Sequence, residues 1–257
     1  MKRVIRFVAV VTLCVACSTY SRAQSVITFI PPPQRHPGQF IGILKLQPLG
    51  DGVNMKLLEP FGYKSPTEQS LTAQAGFTTD GASIPRALWT AVGSPFTGKY
   101  LPAAVIHDVG CKTHQYTWQD TDRMFYDAML DAGESEHHAK LLYWGVVFGG
   151  PHWVSGIAQG NTVAELNRKV ASVGGQPVGL PMQLAGPLAL KFAIPLPPKT
   201  VLQKADVKKF DKFLRSREKE GRPVDLREID ALAPPDPELV PQSIRSPEVA
   251  PLLPSKH

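Results

Sequence analysis

The 257 residues carry 28 Lys and Arg against 22 Asp and Glu, a formal net charge of +6. Lys2, Arg3, Arg6 and Arg22 fall within the first twenty-three positions, which hold no acid, so the remainder balances 24 basic against 22 acidic groups, a net of +2. No basic field is left to argue for nucleic acid, and with Cys14 and Cys17 in the same leading segment only Cys111 remains, so stability must come from a packed core rather than from disulfides.

The opening has a basic n-region (Lys2, Arg3, Arg6), an apolar run from Phe7 to Cys17 and the small residues Ser21 and Ala23, the pattern of a cleavable signal peptide over 1–23. The run is too short to cross a membrane. A lipoprotein reading through Cys17 finds Cys14 where a lipobox takes an aliphatic residue. The expectation is therefore export to the periplasm or the extracellular space.

Residues 24–38, with Pro31-Pro32-Pro33 and Pro37-Gly38, read as a Pro-rich arm. The runs 40–46, 53–58 and 71–77, separated by Gly, Pro and Asp, predict three antiparallel strands. After Gly81 the period becomes helical, predicting a short helix near 85–92 and longer ones over 101–112, 118–132 and 135–148. Pro102 suits a first turn, Thr117 an N-cap and Gly133 a stop. The run 141–148 is apolar on every side and predicts a core helix.

Together these features predict one α+β domain over 39–160, a small antiparallel sheet followed by a helical hairpin core of three to four helices. Residues 161–203 read as a Gly/Pro-rich linker, 204–220 as a charged amphipathic helix with Val207, Phe210, Phe213 and Leu214 as its stripe, and 221–257 as a Pro-rich, largely disordered tail.

The polar chemistry is concentrated around His107, Asp108 and Asp122. Two helices joined by a short loop are antiparallel neighbours, which can bring Asp122 to the ring of His107. A carboxylate on one imidazole nitrogen fixes the tautomer and raises the basicity of the other, as a general base acting on water requires. Asp108 points about 100° further round the helix, free to serve as a metal ligand. Upstream, Asp80 and Gly81 lie in a strand-to-helix loop, and carboxylates with loop carbonyls describe a calcium site. Each piece has a bland counterpart: a surface salt bridge for the doublet, a turn for Asp80-Gly81, an exposed charge pair for Asp122-Arg123. Their joint order favours a site. His137-His138 reads as surface, His152 as part of a turn, His114 as a residue able to line the same mouth, and Cys111 as a small buried hydrophobe. A metal phosphohydrolase would need a further upstream histidine, and the only candidate is His36 in the arm.

The string 75–86, with Trp89, Gly93-Ser94-Pro95, Tyr100, residues 103–108, residues 122–125, Gly133 and Trp144, closely resembles the bacterial and phage family known as domain of unknown function 1353, over about 40–155. The order of loop, His-Asp doublet and later helical Asp is also similar to prokaryotic secreted phospholipase A2. That likeness implies His107 as general base, Asp122 as its orienting partner, and Asp80, Asp108 and the Gly81 carbonyl as calcium ligands. It departs from those enzymes in having Cys111 where they usually carry Tyr, and in lacking their disulfides. The functional expectation is a calcium-dependent lipid-ester hydrolase acting at a lipid or membrane surface. The alternative is a non-enzymatic envelope or phage-like interaction protein whose tail tethers a protein partner.

Overall fold

The computed structural model describes residues 25–30, 38–51, 53–81, 98–183, 188–197 and 201–233. The expected signal peptide, the short helix near 85–92 and the tail beyond 233 lie outside the described residues.

The N-terminal half forms two antiparallel sheets: β1 (Ile27–Phe29), β3 (Leu44–Pro48), β4 (Met55–Leu57) and β7 (Thr78–Thr79) in the order β1-β3-β4-β7, and β2 (Gln39–Ile41), β5 (Phe61–Lys64) and β6 (Ser70–Ala73) in the order β2-β5-β6. Period-two alternation drives both. Leu44 and Leu46 on β3, Met55 and Leu57 on β4, and Leu71 and Ala73 on β6 point inward, with Lys45, Lys56 and Thr72 between them. The run 40–46, expected as one strand, is cut at Gly42, whose φ of +87° is left-handed and where a Cβ would sit 2.9 Å from the Pro60 carbonyl. Its two halves join different sheets. The strand β5 was not expected, because Phe61-Gly62-Tyr63 has no alternation: all three are buried. Part of the arm also pairs, as β1 on the sheet edge.

The helices follow. Helix α1 (Leu101–Thr113) carries Pro102 in its first turn and ends on His114 in the left-handed conformation. Helix α2 (Trp118–Asp131) is capped by Thr117, whose side chain accepts from the Asp120 amide. Helix α3 (Glu136–Gly149) is capped by Ser135 and is buried from Ala139 to Val147. At the centre of the α1/α2 hairpin stands Gly110. A Cβ there would fall far inside contact distance of the Thr121 methyl, and within 3.2 Å of Leu71 Cδ1 on β6. A glycine at that point lets the two helix backbones and the sheet meet.

Residues 161–203 are not a linker. They continue from β8 (Trp153–Gly160) into α4 (Val163–Ser172), β9 (Gln176–Pro177), β10 (Met182–Gln183) and β11 (Leu188–Pro195). Strand β11 pairs along β8 on one edge and with β9 and β10 on the other. Leu166 and Val170 of α4 pack on Ala158, Leu190 and Phe192, a second small core. Among the described residues, Gly174 and Gly179, both with left-handed φ, turn the chain on either side of β9, while Pro177 and Pro195 lie within strands. Residues 204–220 form α5 (Lys204–Lys219), with Val207, Phe210 and Leu214 buried and Phe213 exposed. Phe210 stacks on Trp144 of α3 at 4.6 Å, and His137 of α3 bonds Asp211 and Glu218 of α5, both at 2.8 Å, so His137 is an interhelical contact rather than free surface. The segment expected to be tail begins with an ordered helix, α6 (Leu226–Leu232), in which Ile229 is buried and Asp230 meets Tyr143 and Arg123.

The Gly110 contact carries a test. At an open helical position Gly→Ala gains about 1 kcal/mol of propensity, whereas overpacking costs about 1–3 kcal/mol. Gly110→Ala is therefore expected to lower the urea midpoint, and adding Thr121→Ser, which deletes the opposing methyl, to restore most of it. A midpoint unchanged or raised in Gly110→Ala contradicts the close approach.

Candidate functional site

The hairpin geometry brings His107 and Asp122 together. Residues 101–110 of α1 are buried throughout, so the imidazole projects into the interior rather than outward. One turn beyond it the Gly110–Thr121 approach sets the spacing of the helices, and Asp122 follows Thr121 directly. The His107 Nε2 lies 2.7 Å from Asp122 Oδ1. The ring of Phe125, on the same helix as Asp122, packs against the imidazole at 4.9 Å.

All three central side chains are sealed: relative exposure is 0 % for His107, 1 % for Asp108 and 2 % for Asp122. The second Asp122 oxygen, Oδ2, is buried with no hydrogen-bond partner. Cys111, one turn along α1, is half-buried, and its sulfur stands 3.7 Å from Nδ1 and 3.8 Å from Nε2 of His107. Near-equal distances place the sulfur alongside the ring rather than in line with either nitrogen lone pair, a poor approach for proton transfer.

Burial alone would push the His107 imidazole down, but the Cys111 sulfur and the Asp122 carboxylate flanking it outweigh burial and hold it above its ordinary value. Burial pushes the Asp122 carboxyl up, against a weaker pull from His107. It also pushes the Cys111 thiol up, again opposed by His107.

The residues expected to hold calcium sit in different surroundings. Asp108 accepts a hydrogen bond from the Thr79 hydroxyl, and the same Thr79 oxygen accepts from the Gly81 amide at 3.1 Å. Asp80 is exposed while Asp108 and Gly81 are buried. Among the described residues no group of three or more His, Cys, Asp or Glu side chains is placed to hold a metal. Thr79 and Lys112, which donates to the Thr78 carbonyl and lies 4.6 Å over the Phe77 ring, join the loop to α1. Sequence reading overlooked both, though Thr79 stands next to the Asp80 it singled out.

The other histidines go elsewhere. His114 packs its ring 4.6 Å from Trp153 at the far end of α1, and His152 is buried and stacked 3.8 Å from Trp118. A third interior acid is Asp131, which takes the Tyr63 hydroxyl at 2.5 Å and so links β5 to the end of α2.

Among known proteins, the family model described as protein of unknown function (DUF1353) matches residues 55–146, from β4 into α3. Two curated relatives come from Sinorhizobium fredii (strain NBRC 101917 / NGR234). The uncharacterized protein y4jT is 32% identical over 195 residues, 73% of this chain and 57% of its own length. The uncharacterized protein y4iH is 43% identical over 104 residues, 40% of this chain and 44% of its own length. The chain thus spans about half the length of the curated relatives it matches, and no solved structure matches it. The segment that holds Thr79, His107, Asp108 and Asp122 is a member of the DUF1353 family of proteins of unknown function.

Proposed function

We propose that this chain is a non-enzymatic binding module in which the His107–Asp122 pair is an internal tie between α1 and α2. The observation that carries this reading is the burial of the pair, with His107 fully enclosed and Asp122 almost so. The leader pattern at the N-terminus supports placing the module outside the cytoplasm, in the periplasm or beyond, in an envelope or phage-like setting. Its partner is then met by the surface of the domain or by the chain beyond 233.

One observation favours a second reading, the calcium-dependent lipid-ester hydrolase. Asp122 holds only Nε2, leaving the Nδ1 edge of His107 uncommitted to a carboxylate, which is the disposition of a general base. Against it stand the sealed ring, the separation of exposed Asp80 from buried Asp108, and the sulfur alongside the imidazole. For turnover, phosphatidylcholine vesicles or a short-chain ester are offered to the full chain with calcium and with chelator. No release above background is expected in either condition. Calcium-dependent release that disappears in an Asp122→Asn variant still unfolding cooperatively would overturn the tie reading in favour of the enzyme.

Two stability measurements follow. Removing one member of a buried pair leaves an uncompensated group and costs about 3–5 kcal/mol, whereas replacing both by apolar side chains is close to neutral or stabilising. His107→Leu alone is expected to lose stability on that scale in urea, and His107→Leu with Asp122→Leu to regain most of it. Equal losses in the single and double variants contradict a tie.

The pair also links stability to pH. The folded imidazole is held above its ordinary 6.5, so the stability it contributes is fully present below that value and fades as pH rises through the folded value. Asp122, raised above 3.8 by burial, has the same sign. The urea midpoint should therefore begin to decline above about pH 6.5, well before thiol ionisation near about 8.5, and the early part of that decline should be flattened in His107→Gln. A midpoint that climbs through this range contradicts the assignment.

A further inference from the structure

At the loop end of the hairpin the molecule opens into a cleft of about 320 Å³, a size that suits a small organic ligand. One wall is the α1/α2 loop, His114 to Thr117, with Asp120 of the first turn of α2; the other is the β8/β11 ribbon, presenting Ser155, Ile157 and Lys191. Lys191 and Ile157 are cross-strand partners, as are Ala193 and Ser155, so all four lie on one sheet face. That face is sealed at Trp153 and Ala193, where it meets the core, and opens at Ser155, Ile157 and Lys191.

The loop wall is held in place before any ligand arrives. The Trp153 indole donates to the Tyr116 carbonyl at 3.0 Å, the Tyr116 hydroxyl is bonded to the backbone of Ser70, and the Thr117 hydroxyl donates to Asp120 at 2.8 Å. Preorganisation of this kind removes an ordering cost from binding. His114, held at a φ of +50°, turns a half-buried ring inward against Trp153. Burial pushes that imidazole down from its ordinary value, so near neutral pH it offers one donor and one acceptor.

The charges are the informative part. Lys191 and Asp120 both line the cleft, yet among the described residues they make no ion pair with one another, and Lys191 makes none at all. Val178 continues the apolar lining that Ile157 begins, whereas the Phe192 side chain lies on the other face of β11, in the second core. A cation on one wall, an acid on the other and an apolar floor between them match a molecule with the same three parts. We propose that this cleft binds a small zwitterion with an apolar side group, of the class of the apolar α-amino acids, its carboxylate toward Lys191, its ammonium toward Asp120 and its side group on Ile157 and Val178. This inference deepens the reading of the chain as a binding module and rests on it.

The test is isothermal titration of the full chain with phenylalanine, 3-phenylpropionate and phenethylamine, which differ only in the presence of the ammonium or the carboxylate. Phenylalanine should bind, and loss of either charged group should weaken binding about tenfold or more, the scale of one charge-assisted hydrogen bond. Lys191→Ala, at an exposed position, should erase the preference for phenylalanine over phenethylamine without moving the unfolding midpoint. Asp120→Asn, which can still accept from Thr117, should erase the preference over 3-phenylpropionate. No heat with any of the three, equal affinity for all three, or preferences unaltered in both variants overturns the proposal. Such failures leave the tie reading standing, whereas calcium-dependent ester turnover through the dyad removes that reading whatever the titration gives.

Discussion

The close passage of α1 over α2 at Gly110 and Thr121 is the constraint on which the remaining geometry depends. It brings the helices near enough for an imidazole and a carboxylate to meet one turn away, in an interior where both are cut off from water. Polar groups buried at that depth are costly unless each finds a partner. Here the partners all lie on different elements: His107 reaches α2 through Asp122, Asp108 reaches β7 through Thr79, and Tyr63 of β5 reaches the end of α2 through Asp131. Apolar packing supplies the bulk of the stabilisation, and these directional contacts choose one arrangement of helix against helix and helix against sheet.

The same frame explains how the two ends of the molecule differ. Where α3 receives α5 and α6, aromatic stacking of Trp144 on Phe210 is combined with the contacts of His137 and Asp230, and His137 with its partners Asp211 and Glu218 lines a polar cleft of its own. Where the α1/α2 loop faces β8 and β11, the sheet face diverges from the helices and a cleft remains. The loop that joins α1 to α2 makes one wall of that cleft.

Much of this was legible in the sequence because its signals are local. The helix limits follow from Pro102, Thr117, Ser135 and Gly133, and the approach of Asp122 to His107 follows from two capped helices and a short loop. The surroundings of the expected calcium ligands were not legible in the same way: Asp80 and Asp108 look alike in one dimension, but only three dimensions reveal that Asp108 is buried and bonded to Thr79 while Asp80 faces solvent. The second core was overlooked because its strands lie among Gly and Pro residues that score as loop, and because a ribbon such as β8/β11 gains its stability from pairing across some thirty residues, which no local window detects. Strand β5 escaped for a related reason, since a strand buried on both faces has no alternation to read. Burial of the dyad was equally out of reach, being a property of everything that packs around α1.

The central claim, that His107 and Asp122 form a sealed internal tie, is addressed most directly by nitrogen-15 NMR of the His107 side chain. The tie predicts a Nε2–H proton resonance that persists against exchange with water at neutral pH, and an imidazole that does not titrate between about pH 5 and about 6.5, the range in which an open histidine loses much of its proton. A ring proton that exchanges too fast to observe, with an imidazole titrating near its ordinary value and responding to added calcium, would mean that the site is open to solvent and that the tie is not what holds the hairpin.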